Sequence, residues 1–263
     1  MDPVVIASLA VGLSLVMAFA WAVQRRTGAS GWIDTIWSFG VGLGGIVAAS
    51  LADGDEMRRA AIGLIVLVWS IRLGAHIAAR TRGAGEDPRY EKLLAEWGDA
   101  AASRLFVFLQ IQSLAAFVLV LAIYLAASAS TGFPRFIDLV AIAIALGAIV
   151  GEAVADAQLA RFRKSIRART EICETGLWRY SRHPNYFFEW LFWCAWPLFA
   201  VTLQSGWTWL SLLAPIQMYW LLVHVSGIPP LEQHMLRSRG DRFCDLQSRV
   251  NAFFPGPPKR RTP

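Results

Sequence analysis

The feature that most constrains this chain is a series of seven apolar segments, each close to the length needed to cross a bilayer as a helix. A hydrocarbon core about 30 Å thick requires about 20 apolar residues in helical conformation. The segments are Pro3–Val23, Trp32–Leu51, Ala60–Ala79, Leu105–Ala127, Phe136–Ala157, Tyr186–Leu203 and Trp207–Val225. The sequence therefore predicts an all-α, polytopic membrane protein with about seven transmembrane helices.

Composition supports a membrane protein over a soluble domain. Apolar residues make up 56% of the 263 residues and charged residues only 17%, whereas soluble domains carry about 25% charged residues. The N-terminus lacks a basic region and a small-residue cleavage site, so we expect a retained helix. Cys173, Cys194 and Cys244 have no CxxC spacing and are odd in number, which predicts neither a disulfide framework nor a metal site.

Basic residues are concentrated on one side of the predicted membrane. With the N-terminus outside, 21 of the 25 Lys and Arg residues fall in the alternate breaks that face the cytoplasm. The positive-inside rule then predicts an external N-terminus and a cytoplasmic C-terminus. The same distribution argues against a nucleic-acid footprint, although the net charge is +6.

Several ionisable residues lie within the apolar segments, where they are energetically expensive and usually face a bundle interior or a wet cavity. They are Asp34, Arg72, His76, Glu152, Asp156, Glu189 and His224. Arg72, His76 and Arg80 are spaced four apart, as are Glu152 and Asp156, so each set shares a helix face. The set has two interpretations, a functional site or ion pairs that only hold helices together.

The most specific segment is Gly176–Glu189, which is polar yet leads directly into an apolar run. Arg182 and His183 supply hydrogen-bond donors, Tyr180 and Tyr186 supply stackable rings, and Asn185 can bind an amide. Such a cluster at a helix mouth predicts a site for a charged, planar cofactor.

Residues 80–90 contain arginines and glycines but no phosphate-loop spacing, so no Rossmann or P-loop site is predicted. Anion binding there would depend on the guanidinium groups of Arg80 and Arg82. The alternative is a positive-inside signal or contact with lipid headgroups.

Gly176–Glu189 resembles the membrane motif of the steroid 5α-reductase and sterol reductase superfamily, in which a Gly-Leu-aromatic run leads to Arg-His-Pro-Asn-Tyr. Glu152–Gln158 with Phe162–Lys164 is similar to that family's acidic fifth helix and its basic exit. Glu232–Gly240 and Phe253–Pro255 are similar to its C-terminal motifs. The resemblance is good over about residues 150–257 and loose over residues 25–105. It is strongest to the bacterial steroid 5α-reductase-like proteins.

This resemblance implies NADPH-dependent reduction of a carbon–carbon double bond in a steroid or sterol-like lipid. The residues that it assigns to NADPH contact are Asp156, Arg163, Arg182, His183, Asn185, Tyr186, Glu189, Glu232 and His234. We add to this predicted cofactor site six neighbouring polar residues, His76, Arg80, Arg82, Glu152, Lys164 and Tyr180. One domain is expected over residues 1–263, with helices on the substrate side in 1–104 and a cofactor-binding half in 105–263.

The catalytic donor is where this chain departs from the family. The eukaryotic 5α-reductases carry a Gln-Glu pair in the second helix and a Tyr in the third, and this pair is missing here. Asp34, Trp37 and Arg72 occupy the comparable regions and are the predicted catalytic residues. Our hypothesis is that a buried Asp34 donates the proton.

Two other functional classes stay open. Isoprenylcysteine and phospholipid methyltransferases share an Arg-His-Pro-x-Tyr stretch and bind S-adenosylmethionine. In a non-enzymatic lipid-binding or transport protein, the ionisable residues within the apolar segments would only form ion pairs that hold helices together. The expected partners are a steroid or sterol-like lipid and membrane lipids, with no nucleic acid. A monomer is expected, in the inner membrane if the source is bacterial.

Overall fold

The computed structural model describes residues 1–83, 88–202 and 205–259, and the regular secondary structure in these ranges is entirely helical. Its α-helices are α1 (Pro3–Thr27), α2 (Trp32–Leu51), α3 (Glu56–Gly83), α4 (Pro88–Trp97), α5 (Ala101–Ala127), α6 (Phe136–Arg163), α7 (Pro184–Ala200), α8 (Leu213–Trp220), α9 (Ile228–Arg239) and α10 (Asp241–Arg249). Short 3₁₀ turns occupy Gly98–Ala100, Ile166–Arg169, Gly176–Arg179 and Gly206–Leu212, and a π-helical turn occupies Leu221–Val225.

Six segments of the described chain are long and apolar enough to cross a membrane, which confirms the all-helical, multi-pass membrane prediction. They are Pro3–Thr27, Trp32–Leu51, Glu56–Arg82, Arg89–Ala127, Phe136–Arg163 and Gly206–Arg239. The remaining expected span, 186–203, overlaps α7, which has 17 residues. At 1.5 Å per residue this helix is about 26 Å long, shorter than the hydrocarbon core of about 30 Å. The orientation in the membrane stays a prediction.

The ends of α1 follow from local sequence. The Asp2 side chain caps the helix by accepting from the backbone N–H of Val4 at 2.8 Å, and Pro3 occupies the first turn. Proline is favoured there because its missing N–H has no intrahelical partner at this position. Gly28 ends the helix with φ of +73°, a left-handed conformation that glycine adopts without a steric penalty.

Helices α2 and α3 pack closely because α2 carries glycines on the contact face. A Cβ atom at Gly42 would lie 2.0 Å from the hydroxyl oxygen of Ser70, so no larger residue fits without a shift. The Ser70 hydroxyl also donates to the backbone carbonyl of Ser38 at 3.2 Å. Small residues and hydroxyl contacts of this kind are typical of helix interfaces in membranes.

The chain divides into two compact units. The first unit comprises residues 1–142 and 196–214, and the second comprises residues 143–195 and 215–263. Helix α5 packs on α1 and α2 within the first unit. The expected functional halves, 1–104 and 105–263, stay a prediction.

A buried charge network holds one end of the first unit together. Arg58 and Asp138 form an ion pair at 3.0 Å, and both side chains are fully buried. Arg58 also donates to the backbone carbonyl of Phe199 at 3.2 Å, and Arg135 donates to the same carbonyl at 2.9 Å. Arg58 is therefore an internal structural residue, and half-buried Arg135 belongs to the same network.

Candidate functional site

A dense polar cluster of the second unit is centred on the carboxylate of Glu232, on α9. Its Oε1 accepts from Nε of Arg182 at 2.7 Å and contacts Nε2 of His183 at 3.1 Å. Its Oε2 accepts from Nη2 of Arg182 at 3.1 Å and from Nε2 of Gln247, on α10, at 2.7 Å. Arg182, His183 and Glu232 are all nearly buried, with 8–13% of each side chain exposed. The cluster joins the polar motif to the C-terminal helices.

The C-terminal segment is fixed along the same motif by backbone contacts. Arg182 donates its backbone N–H to the carbonyl of Asn251 at 2.9 Å, and the Ser181 hydroxyl donates to the carbonyl of Phe253 at 2.9 Å. The centroid of the buried Phe253 ring lies 5.7 Å from the ring centroid of Trp190 and 5.4 Å from that of Tyr219. This aromatic packing keeps the tail against the motif.

The start of the motif turns at Gly176, which has φ of +62°. The side-chain oxygen of Gln158, on α6, accepts from the backbone N–H of Leu177 at 2.9 Å. The indole N–H of Trp178 donates to the carbonyl of Ala155 at 2.9 Å. The left-handed conformation favours glycine at this position. A Cβ atom at Gly176 would also lie 2.4 Å from the Gln158 amide, so the amide would have to shift.

Helix α7 begins at Pro184 and presents its first polar residues to α6 and to His183. The Asn185 amide donates to Oδ1 of buried Asp156 at 3.3 Å. The ring of Tyr186 stacks on that of His183, with centroids 5.6 Å apart. One turn further along, Oε1 of buried Glu189 accepts from the indole N–H of Trp193 at 2.9 Å.

Two clefts flank the 3₁₀ turn of the motif, and both carry cationic side chains. The cleft of about 410 Å³ is lined by Gln158, Arg161, Phe162, Ser165, Arg167, Thr175 and Gly176. The cleft of about 440 Å³ is lined by Glu174, Arg179, Arg249, Val250, Pro258 and Lys259. In the second cleft, hydrogen bonds from the guanidinium to the carboxylates of Asp245 and Glu174 raise the pKa of Arg249 above its usual value.

A separate polar cluster lies in the first unit around Asp34, on α2. The Tyr90 hydroxyl donates to Oδ1 of Asp34 at 2.9 Å, and the guanidinium of Arg89 contacts Oδ2. The amide of Gln112, on α5, donates to the Tyr90 hydroxyl at 3.1 Å, and the indole N–H of Trp37 donates to the Gln112 carbonyl at 3.4 Å. In this arrangement Asp34 is the acceptor and Tyr90 is the donor.

The comparison with known protein families matches residues 20–250 to the family described as "Protein of unknown function (DUF1295)". The chain belongs to the DUF1295 family. This family is related to steroid 5α-reductase-like membrane proteins, and membership indicates a membrane enzyme of the steroid reductase or methyltransferase-like group. No curated protein and no solved structure matches the chain significantly.

The structure of this DUF1295 protein brings together part of the predicted cofactor site. Arg182, His183, Tyr186 and Glu232 form one cluster, and Asn185 contacts Asp156. Glu152 is buried one turn before Asp156 on α6. The exposed members of the predicted site are Arg80, Arg82, Arg163, Lys164, Tyr180 and His234.

The predicted catalytic residues of the DUF1295 protein all lie in the first unit. Asp34 and Trp37 belong to the Tyr90 cluster, whereas Arg72 and His76 are half-buried on α3. The hypothesis of Asp34 as the proton donor does not fit this geometry, because both carboxylate oxygens accept hydrogen bonds. Sequence reasoning missed Tyr90 and Gln112. The signal available for Gln112 was a glutamine within an apolar run.

Arg182 of the DUF1295 protein is also placed differently from expectation. A guanidinium has five N–H donors. The Arg182 guanidinium makes four hydrogen bonds, two to the Glu232 carboxylate and one each to the backbone carbonyls of Gln247 and Val250. Arg182 therefore holds the C-terminal helices, and it has little capacity left for a phosphate group.

Among the residues that the structure describes, no cluster of His, Cys, Asp or Glu could hold a metal ion.

Proposed function

We propose that this protein is an NADPH-dependent membrane reductase. Its substrate class is a 3-oxo-Δ4-steroid or a similar lipid enone, which it reduces at the C4=C5 double bond. The proposal rests on family membership and on one observation in the second unit. The basic cleft of about 410 Å³, which carries Arg161 and Arg167, joins the end of α6 to the first glycine of the motif.

That cleft fits the phosphate groups of the dinucleotide. Arg161 and Arg167 line it, and the exposed Arg163 and Lys164 lie two and three positions after Arg161. Arg167 is paired with Glu171 at 2.7 Å, with both side chains largely exposed. Exposed ion pairs contribute little to stability, so this guanidinium can exchange its partner for a phosphate. Guanidinium groups suit phosphate because they bind two oxygens at once.

The nicotinamide end is assigned to the polar start of α7. Asn185 carries both a carbonyl and an N–H group for a carboxamide, and Asp156 orients it by accepting at 3.3 Å. The stacked rings of buried His183 and half-buried Tyr186 provide a flat surface beside it. Bound NADPH would supply the hydride.

The substrate step needs a donor at the ketone oxygen. Hydride addition at C5 of an enone places negative charge on the C3 oxygen, and a hydrogen-bond donor there stabilises the enolate. A proton from water then adds at C4, which restores the C3 ketone and completes the reduction. We assign this donor to the Tyr90 hydroxyl, whose single hydrogen is held by Asp34 in the protein alone. Gln112 fixes the hydroxyl by donating to it. The predicted role of Arg72 stays a prediction.

A methyltransferase is the second candidate, and a specific observation favours it. Glu152, Asp156 and Glu189 are buried carboxylates of the second unit, and buried acidic groups suit the cationic sulfonium of S-adenosylmethionine. The basic cleft argues against this alternative, because S-adenosylmethionine carries no phosphate.

A thermal-stability titration in detergent separates the candidates. NADPH should raise the midpoint of unfolding, NADH should raise it less, and S-adenosylmethionine should leave it unchanged, since a ligand stabilises only the state that binds it. Stabilisation by the methyl donor and not by NADPH would overturn the proposal. NADPH oxidation with testosterone or progesterone, followed by product stereochemistry, then tests the substrate class.

A substitution in the basic cleft tests whether the cleft binds NADPH. Arg161→Ala removes one guanidinium and should weaken NADPH binding about tenfold, the value of one charge-assisted hydrogen bond. NADH binding should change less if Arg161 contacts the 2′-phosphate. Arg237→Ala, at an exposed arginine on α9 that does not line the cleft, is the matched control. Equal losses in both variants would contradict the assignment of the cleft.

A further inference from the structure

The contact between Glu232 and His183 has a consequence for how a ligand is bound. A carboxylate that forms a bidentate ion pair with an arginine is ionised and acts only as an acceptor. Oε1 of Glu232 takes this role toward Nε of Arg182 at 2.7 Å, and Nε2 of His183 lies 3.1 Å from the same oxygen. The hydrogen of a neutral His183 ring must therefore be on Nε2.

We propose that Glu232 is a positioning residue that fixes the Nε2–H tautomer of His183, so that Nδ1 becomes the hydrogen-bond acceptor of the binding site. In a neutral imidazole one nitrogen is a donor and the other an acceptor, and the partner of the first decides the role of the second. Nδ1 makes no hydrogen bond to any residue in the described part of the chain. It is the atom that this cluster leaves for a ligand.

The ring that presents Nδ1 is held rigidly. The His183 backbone N–H donates to the Ser181 hydroxyl at 3.1 Å, which is itself bonded to the tail. The ring of Tyr186 stacks on it with an interplanar angle of 12°. A ligand group that Nδ1 recognises must be a donor, such as a ribose hydroxyl or a carboxamide N–H. This identification of the ligand group rests on the proposed function, whereas the tautomer does not.

Glu232 was assigned from the family resemblance to direct NADPH contact, and its geometry leads to a different role. Four hydrogen-bond contacts to Arg182, His183 and Gln247 surround its two oxygens. A carboxylate has about four acceptor sites, so its capacity is used within the protein. Glu232 therefore acts on a ligand through His183.

Nitrogen NMR of ¹⁵N-histidine-labelled protein in detergent tests the tautomer directly. The chain has four histidines, and a His183→Gln sample assigns the signal of interest by its loss. At mildly alkaline pH, His183 of the wild-type protein should show a protonated Nε2 and an unprotonated Nδ1. A ring protonated at Nδ1, alone or together with Nε2, would overturn the proposal.

Two variants test the role of Glu232. Glu232→Gln replaces an acceptor oxygen with an amide that can donate to His183, so the Nδ1–H form should become populated. Gln247→Leu is the matched control, because it removes another contact of Glu232 and leaves the contact with His183 in place. A single Nε2–H tautomer in Glu232→Gln, or a tautomer change in Gln247→Leu, would count against the proposal. If Glu232→Gln does not fold, the wild-type spectrum still determines the tautomer of His183, and a tautomer change in Gln247→Leu would still count against the proposal.

Ligand binding provides the second measurement. Losing one acceptor should weaken NADPH binding about tenfold in Glu232→Gln, with a smaller effect in Gln247→Leu. Unchanged NADPH affinity in a Glu232→Gln protein with an altered tautomer would overturn the positioning role. If NADPH does not bind the wild-type protein at all, the proposed cofactor is wrong, whereas the tautomer is still determined by NMR.

Discussion

The Tyr90 hydroxyl donates a hydrogen bond to Oδ1 of Asp34 over 2.9 Å, while Arg89 contacts the other oxygen of the same carboxylate. This pair reverses the expected roles, since the carboxylate accepts and the phenol carries the hydrogen. A proton donor in the first unit is therefore better sought at Tyr90 than at Asp34.

Tyr90→Phe should lower kcat for an enone substrate by about a hundredfold or more, the usual loss when a hydrogen-bond donor to a developing oxyanion is removed. Phenylalanine keeps the buried ring and removes only the hydroxyl, so NADPH affinity should be unchanged. Asp34→Asn, which still offers one oxygen to Tyr90, should have a smaller effect on kcat. Steady-state kinetics and NADPH titration give these values, and normal turnover in Tyr90→Phe would exclude Tyr90 as the donor.

Arg182→Ala should destabilise the second unit more than it affects cofactor binding. The substitution leaves nearly buried Glu232 without its bidentate partner, and breaking a buried ion pair costs about 3–5 kcal/mol. Thermal unfolding in detergent is the measurement. Arg182→Lys, which keeps the charge but not the fork geometry, should recover part of the loss. A stable Arg182→Ala protein with weak NADPH binding would instead make Arg182 a direct ligand residue.

Arg58→Ala should destabilise the first unit by about 3–5 kcal/mol, because Asp138 is fully buried and would lose one of its cationic partners. Since Arg135 also contacts Asp138 at 2.7 Å, Arg135→Ala should cost less and the double variant more than either. The free energies of unfolding of the two single variants and the double variant form a cycle. Strict additivity in this cycle would contradict a shared network.

Gly176→Ala should lower stability by about 1–2 kcal/mol, the cost of placing a non-glycine residue in the left-handed region. Overlap with the Gln158 amide adds to this cost and should disturb the basic cleft. Gly147→Ala is the matched control in the same unit, since a Cβ atom there meets nothing within 4 Å. That helical position should gain up to about 1 kcal/mol. Equal unfolding midpoints for the two variants would contradict the steric argument.

Much of the architecture could be predicted because it depends on local properties of the chain. The length and apolarity of continuous segments predict membrane-spanning helices, and six such segments are present in the described chain. The spacing of Glu152 and Asp156 places both on one face of α6, where both are buried. The motif around Arg182–Tyr186 was recognisable as a polar cluster from residue types alone, and its role as a cofactor site stays a prediction.

The sequence by itself determined the helices, the membrane class and the position of the polar motif, because periodicity and residue type act over a few turns. Only the tertiary structure decided the partners: Arg182 meets Glu232 across 50 positions, Tyr90 meets Asp34 across 56, and Arg58 meets Asp138 across 80. Whether an arginine is available to a ligand or is saturated within the protein depends on such distant contacts. Hydrogen-bond geometry is specific to within a few tenths of an ångström, and no local pattern encodes it.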